Sequence, residues 1–340
     1  MDGASRIQIS GPRILIRVNY HELSNIDKEE KIEYERTMAE LKNNLSWSKS
    51  RDESFRECPR KYYYHYYASW GGWNKTAEPK TRQCYVLKNI KSRHMWLGEV
   101  VHHTIEDALK HYQRTQELKP EFWLQKITDQ MRREFRGSRD RRYLEDPKRN
   151  VGLYEHEYDS DISKERWAEV HDTARRCFTN FANIFFVERV KPVPVAQWKL
   201  IETMQQFYVE GVLVYVKIDF AYESDGNFVI VDWKTGKSED VDNQIQLDCY
   251  GLFSRDAFKV ATEKILTIEC NVNLGKVNEH RMIEAKMDFA KHYIRNSILQ
   301  MKNSLVDIDK NVAREEDFPF TANEQSCRFC NFKKVCAKWN

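Results

Sequence analysis

Asp219, the run Asp232-Trp233-Lys234-Thr235-Gly236, Gln246 and Tyr250 fall within one short stretch of a 340-residue chain. Two carboxylates set close together repel unless a cation lies between them, and hard oxygen ligands favour Mg2+ or Mn2+. Such a cation polarises a phosphodiester and lowers the pKa of a water that attacks phosphorus in line. An ammonium at Lys234 can orient or deprotonate that water, or neutralise charge developing on the phosphoryl oxygens. The plainer reading of Asp-x-Lys after an apolar run is a solvated strand end.

A hairpin would position these groups. Val212 to Phe220 is apolar and β-branched, Ser224-Asp225-Gly226-Asn227 is a turn signal, and Phe228 to Lys234 opens a second apolar run. Alternation along the second strand sends Asp232 and Lys234 to one face and Trp233 to the other. Beyond it, Val241, Ile245, Cys249 and Leu252 recur at helical spacing, with Ser238 or Asp240 as N-cap. Gln246 and Tyr250 share a face of that helix, where they can contact a nucleic-acid strand or support the lysine; otherwise Tyr250 is core and Gln246 is solvated.

Upstream, Leu97, Val101, Ile105, Ala108 and Leu109 form an apolar helical stripe, with Gly98, His102 and Glu106 beside it. A mid-helix glycine costs about 1 kcal/mol against alanine, so something should approach the backbone at Gly98. The His102 imidazole suits a divalent ion; the plainer reading makes His102 and His103 boundary histidines.

Cys327-x2-Cys330-x5-Cys336 closes the sequence, and Cys58 stands far upstream. Thiolates gathered this way hold zinc or an iron-sulfur cluster, and the lone upstream ligand favours the latter, since structural zinc sites usually draw on two close cysteine pairs. No secretion signal is visible and a chain this long buries its own core, so a disulfide framework is disfavoured. Cys84, Cys177, Cys249 and Cys270 read as reduced and buried.

Taken together, Gly98-x3-His102-x3-Glu106, Asp219, Asp232-x-Lys234-Thr-Gly and Gln246-x3-Tyr250, bracketed by Cys58 and the Cys327/Cys330/Cys336 triplet, resemble the RecB-like branch of the PD-(D/E)XK nucleases that carry an iron-sulfur cluster. CRISPR-associated RecB-like exonucleases, the AddB nuclease domain and exonuclease V proteins belong to it. The resemblance implies an α/β fold with a restriction-endonuclease-like core, a central mixed sheet flanked by helices, a helical insertion and a C-terminal iron-sulfur region. It also implies that His102, Asp219 and Asp232 bind Mg2+ or Mn2+, that Lys234 serves the attacking water, and that Gln246 and Tyr250 support the site or the DNA. Cys58, Cys327, Cys330 and Cys336 would hold a 4Fe-4S cluster that ties the two ends of the catalytic unit together.

The activity so implied is metal-dependent hydrolysis of DNA, as an exodeoxyribonuclease on single-stranded or duplex ends, in repair, recombination or defence. A separate helicase or a CRISPR-adaptation-type protein would be its partner. The alternative is a DNA-binding or scaffold subunit that cleaves little. Val216 departs from the pattern, since many relatives carry glycine three residues before the first aspartate.

Lys+Arg 55 against Asp+Glu 52 leaves a net charge of +3, too weak a global field to gather a polyanion, so local patterning must do so. The densest basic run is Arg132, Arg133, Arg136, Arg139, Arg141, Arg142, Lys148 and Arg149; the plainer reading is a solvated helix face. The aromatic run Tyr62, Tyr63, Tyr64, Tyr66, Tyr67, Trp70 and Trp73 can stack bases or pack around the cluster. A mean hydropathy of −0.75 and strand-sized apolar runs give no membrane span, which places the chain in the cytoplasm. Gly236-Lys237-Ser238 follows a strand, but Val231 stands where a phosphate-binding loop needs glycine, so any motor is another chain. The expected divisions are an N-terminal extension over 1–45, with a strand near Ile14 to Val18 and a helix near Asp27 to Lys42, a helical segment over 46–115, a helical insertion over 116–195, the nuclease core over 196–310, and the cysteine region over 311–340.

Overall fold

A computed structural model describes residues 42–237 and 244–339. The strand expected near Ile14 to Val18, the helix over Asp27 to Lys42 up to its last residue, and Ser238, Asp240 and Val241 lie outside the described residues. From Asn44 onward the chain makes one compact unit.

The elements run β1 (Ser46–Trp47), α1 (Lys49–Glu57), α2 (Pro59–Tyr63), α3 (Pro79–Lys88), β2 (Ile90–Lys91), α4 (Arg93–Thr115), α5 (Pro120–Arg139), β3 (Gly152–Leu153), α6 (Tyr154–Glu157) and α7 (Lys164–Asn180). Then follow a π-helical stretch (Phe181–Val190), β4 (Trp198–Val209), β5 (Val212–Ser224), β6 (Asn227–Lys234), α8 (Gln244–Phe258), β7 (Ile265–Asn271), β8 (Lys276–Arg281), α9 (Glu284–Asn303) and α10 (Glu324–Arg328). The six-stranded sheet has the order β1-β5-β6-β7-β8, with β4 also paired to β5. It is mixed: β1 and β5, and β6 and β7, run parallel, while β4/β5, β5/β6 and β7/β8 are antiparallel.

The hairpin forms where its turn residues require it. Ser224 pairs with Asn227, leaving Asp225 and Gly226 as a two-residue loop with φ of 50° and 71°. Both values belong to a type I′ turn, whose twist matches that of the strands, and glycine takes the second position without strain. The parallel step from β6 to β7 crosses over through α8.

Two cores cover the sheet. In the first, Phe220, Tyr222, Val229, Val231 and Trp233 pack under α4, α5, α7 and the π-helical stretch. In the second, Phe228, Ile230 and Ile265 pack under α8 and α9 with Trp47 and Tyr62. Alternation along β6 is therefore complete, with Trp233 in the first core and Asp232 on the α8 face. Strand β5 changes partners midway: Val212, Val214, Val216 and Ile218 belong to the second core, and Phe220 and Tyr222 to the first. Asp219 lies at the change. Val216, where a glycine was the expected family residue, is buried in that second core.

Segment 116–195 does not stand apart: Trp123, Ile127 and Met131 of α5 and Ala174, Cys177 and Phe178 of α7 share a core with α4. Half of the basic run has a carboxylate beside it, Arg139 and Arg142 sharing Asp140, Arg141 with Asp159 and Arg149 with Asp146. Most of the aromatic run is packing. Tyr62, Tyr63 and Tyr67 surround Phe318 at centroid distances of 6.2, 5.4 and 5.8 Å, and Tyr64 meets Phe332 at 5.7 Å. Trp70 and Trp73 pack edge to face at 5.1 Å. Among the described residues, no helix is long and apolar enough to cross a membrane.

Because Gly226 is left-handed, Gly226→Val should cost about 1–2 kcal/mol. A denaturant midpoint equal to the parent's would show that the turn does not set the register of β5 and β6.

Candidate active site

Pairing of Ile201 with Phe220 and of Thr203 with Ile218 puts Glu202 opposite Asp219. The antiparallel step from Phe220 and Val231 puts Asp219 opposite Asp232, and Asp232 is in register with Glu269 on β7. Three buried carboxylates thus stand in a row across neighbouring strands. Glu202 has a φ of 47°, a region that non-glycine residues mostly avoid and that recurs at functional sites.

Helix α4 brings the imidazole. Ser92 caps it by accepting from Met95 N, and Val101, Ile105, Ala108 and Leu109 hold it on the sheet. A Cβ added at Gly98 would lie 3.2 Å from Thr235 Oγ1, so the helix is close to the residue that follows Lys234. One turn on, His102 Nδ1 lies 3.1 Å from Glu202 Oε1 and 3.5 Å from Asp219 Oδ1. The other Asp219 oxygen accepts from Trp233 N at 2.8 Å, which ties β5 to β6 at the site. Glu106, the third member of the expected stripe, is engaged by Lys110 at 2.5 Å.

Helix α8 organises the other half. Lys234 Nζ is 2.8 Å from Asp232 Oδ2 and donates to Gln246 Oε1 at 3.1 Å. Gln246 Nε2 donates to Tyr250 OH at 2.5 Å and to Asp232 Oδ1 at 3.3 Å, and Tyr250 OH donates to the same Asp232 oxygen at 3.4 Å. Asp219, Asp232, Lys234, Gln246, Tyr250 and His102 all line one cleft of about 780 Å³.

Burial pushes the Asp219 carboxyl up to about 6, against the opposing pull of His102. Burial also works to lower the His102 pKa, but Asp219 and Glu202 outweigh it and hold the imidazole protonated well above its ordinary range. Glu202 is held below the usual carboxylate range: burial acts upward, and His102 and Lys217 more than cancel it. Lys234 is likewise desolvated, yet Asp232 raises it overall. Lys234 is therefore an ammonium at neutral pH in this arrangement and fits the orienting and charge-neutralising options better than that of a base.

Glu202 was missed from sequence, although it is the only acidic residue in β4. Among the described residues, His102, Glu202 and Asp219 alone bring three potential ligand atoms within 4.8 Å of one another. Oxygens around Mg2+ at about 2.0–2.1 Å sit roughly 3–4 Å apart, so the donor set fits a divalent ion, and its imidazole suits Mn2+ better than Mg2+.

Cys58, Cys327, Cys330 and Cys336 line one small cavity together with Tyr64 and Phe332. No three of their sulfurs come as close together as the donors of the carboxylate site. Zinc–sulfur bonds of about 2.3 Å hold tetrahedral thiolates roughly 3.8 Å apart, closer than this arrangement. Cys84, Cys177, Cys249 and Cys270 are free and buried.

The sequence profile of the PD-(D/E)XK nuclease superfamily matches residues 46–337, a span that includes every site residue described above. No curated protein shows a significant match. The solved structure titled "Crystal structure of SSO0001" aligns at 16% identity over 55% of this chain and 80% of that chain, with a TM-score of 0.28, too low to bear on the fold.

A carboxyl raised above its unfolded value favours the folded state when protonated. The metal-free protein should therefore lose stability as pH rises from about 4 through 6 at Asp219. Mn2+ should restore it, raising the melting temperature more at pH 7.5 than at pH 5 and more than equimolar Mg2+. Glu202→Gln should shrink that increment; equal increments at both pH values would remove Asp219 from the ligand set.

Proposed function

Since the chain belongs to the PD-(D/E)XK nuclease superfamily, we propose that it is a metal-dependent DNA nuclease whose site is the cleft of His102, Glu202, Asp219, Asp232 and Lys234. The observation that carries the reading is the in-register row of buried carboxylates facing both an imidazole and an ammonium. A divalent cation held there by His102, Glu202 and Asp219, with Asp232 beside them, would supply Lewis acidity and an acidified water.

The chain's own groups do the rest. Lys234 keeps its charge and points a donor at the place where a phosphoryl oxygen gains charge. Gln246 and Tyr250 hold Asp232 and Lys234 in one orientation, so little reorganisation is needed during reaction. Trp233 N fixes one Asp219 oxygen and leaves the other facing His102. The cleft is pocket-sized, which favours a single strand over a duplex, and Tyr66 lines it with the Arg51 guanidinium 4.1 Å from its ring. Cutting from the ends of such strands rests on the resemblance to the RecB-like nucleases alone.

The four cysteines would hold a 4Fe-4S cluster. The support is their convergence on one cavity from well-separated parts of the sequence. Arg60 and Lys61 lie nearby to offset thiolate charge. Bound there, the cluster would tie α2 to the C-terminal segment and limit the unfolded chain.

Asp232→Ala and Lys234→Ala should each lower Mn2+-dependent digestion of end-labelled single-stranded DNA by about 10²–10³-fold; digestion at the parent rate would refute the assigned roles. Protein purified anaerobically should carry iron and a visible charge-transfer band, both lost with a lower melting temperature in Cys58→Ala. Zinc in place of iron would overturn the cluster.

A further inference from the structure

Three cations stand at or near the cleft. Arg51 of α1, Lys88 at the end of α3 and Lys148 before β3 make no ion pair among the described residues. Of the acids nearby, Glu53 is engaged by Lys49, Glu57 by Lys61, Glu99 by Lys91 and Asp146 by Arg149, while Glu134, which lines the same cavity as Lys148, accepts from Trp96 and Gln130. The Arg51 guanidinium lies 4.1 Å from the Tyr66 ring centroid, and the Tyr66 ring lies 4.4 Å from that of His65. Lys88 Nζ stands 5.2 Å from the Tyr85 ring.

These charges act on a common spot. Burial, then Lys148 and Arg51, push the Lys88 ammonium down to about 8. Burial, then Lys88, Arg51, Lys61 and Lys148, push the neighbouring His65 down to about 3, so it stays neutral and adds no charge. Lys88 is half-buried without a counter-charge, which is costly in the free protein, and an anion would relieve that cost, whereas Lys148 is exposed. The position is informative too. Arg51 and Tyr66 line the carboxylate cleft, and Lys148 lines a cavity of about 320 Å³ that meets the cleft at Glu99 and His103.

We propose that Arg51, Lys88 and Lys148 form a phosphate-binding subsite that grips the polynucleotide backbone at one end of the cleft. This rests on the nuclease reading above and adds where the strand is held. A guanidinium fork with two ammonium groups suits phosphate oxygens. The phosphate is either a terminal monoester or an internal diester.

Binding of the full-length chain to labelled single-stranded oligonucleotides, with a 5′-phosphate or a 5′-hydroxyl, can be followed by fluorescence anisotropy in EDTA over a salt series. Removing one cation from the phosphates of a single strand lowers the slope of log K against log salt by about 0.7. Lys88→Gln with Lys148→Gln should therefore lower it by about 1.4 and weaken binding about tenfold, and Arg51→Gln should act the same way at half the slope change. Lys88→Arg, which keeps the charge, should bind within about twofold of the parent. A preference of the parent for the 5′-phosphate that vanishes in the double variant assigns the monoester; the same fall in slope without that preference assigns the diester. Unchanged slopes, or a weakening in Lys88→Arg equal to that in Lys88→Gln, would overturn the subsite. Absence of Mn2+-dependent cleavage would instead overturn the nuclease reading, because binding in EDTA does not depend on it.

Discussion

Like charge placed side by side on adjacent β-strands is the constraint to which the rest of this structure answers. Neighbouring strands lie about 4.7–4.9 Å apart, and two carboxylates at that distance repel by about 3 kcal/mol even at an effective dielectric constant of 20. Glu202, Asp219 and Asp232 are buried in such a row, with Glu269 next in register. Each is answered by a cation from a defined place: His102 from α4 against Glu202 and Asp219, Lys217 from β5 against Glu202, and Lys234 from β6 against Asp232. The helices flanking the sheet are thus part of the electrostatics as well as of the packing.

Apolar packing sets how accurately those cations arrive. Helix α4 reaches the carboxylates because Val101, Ile105 and Ala108 lock it against the first core, and Gly98 lets it come close to Thr235. Helix α8 approaches from the second core, where Ile245, Cys249 and Leu252 are buried and Gln246 and Tyr250 are left facing Asp232. Strand β5 serves both cores in turn and passes from one to the other at Asp219. A polar group can sit at such a crossing, since neither core closes over it, and a cleft opens there.

The hairpin was legible because its information is local: Asp225-Gly226 specifies the turn, and period-two alternation then decides which side chains share a face. The mixed sheet with flanking helices was implied by the resemblance to the RecB-like nucleases, beyond what the local patterns specify. The close approach at Gly98 and the position of His102 one turn on could be anticipated from their four-residue spacing beside an apolar stripe. Glu202 was not found, although β4 and β5 form a second hairpin: Val209 pairs with Val212 and leaves Glu210-Gly211 as a two-residue turn with φ of 50° and 74°, but the first strand was expected to begin only at Val212. A solitary acid in an otherwise uncharged strand interior was the available signal. The aromatic run near Tyr62 was ambiguous because the partner that takes up three of its rings, Phe318, lies some 250 residues away.

The two halves of the site compensate charge by different means, and that difference bears on how it would work. Lys234 is covalently committed to the cleft, paired with Asp232 and braced by Gln246, so its charge persists through any cycle. His102 offsets Glu202 and Asp219 only through a proton, and that proton occupies the space between the donors a divalent ion would share. Exchange of proton for metal would leave the local charge balance positive enough to bind a phosphate while freeing the imidazole as a ligand. A fixed cation on one side and an exchangeable one on the other would give a cleft that gains Lewis acidity only with metal bound.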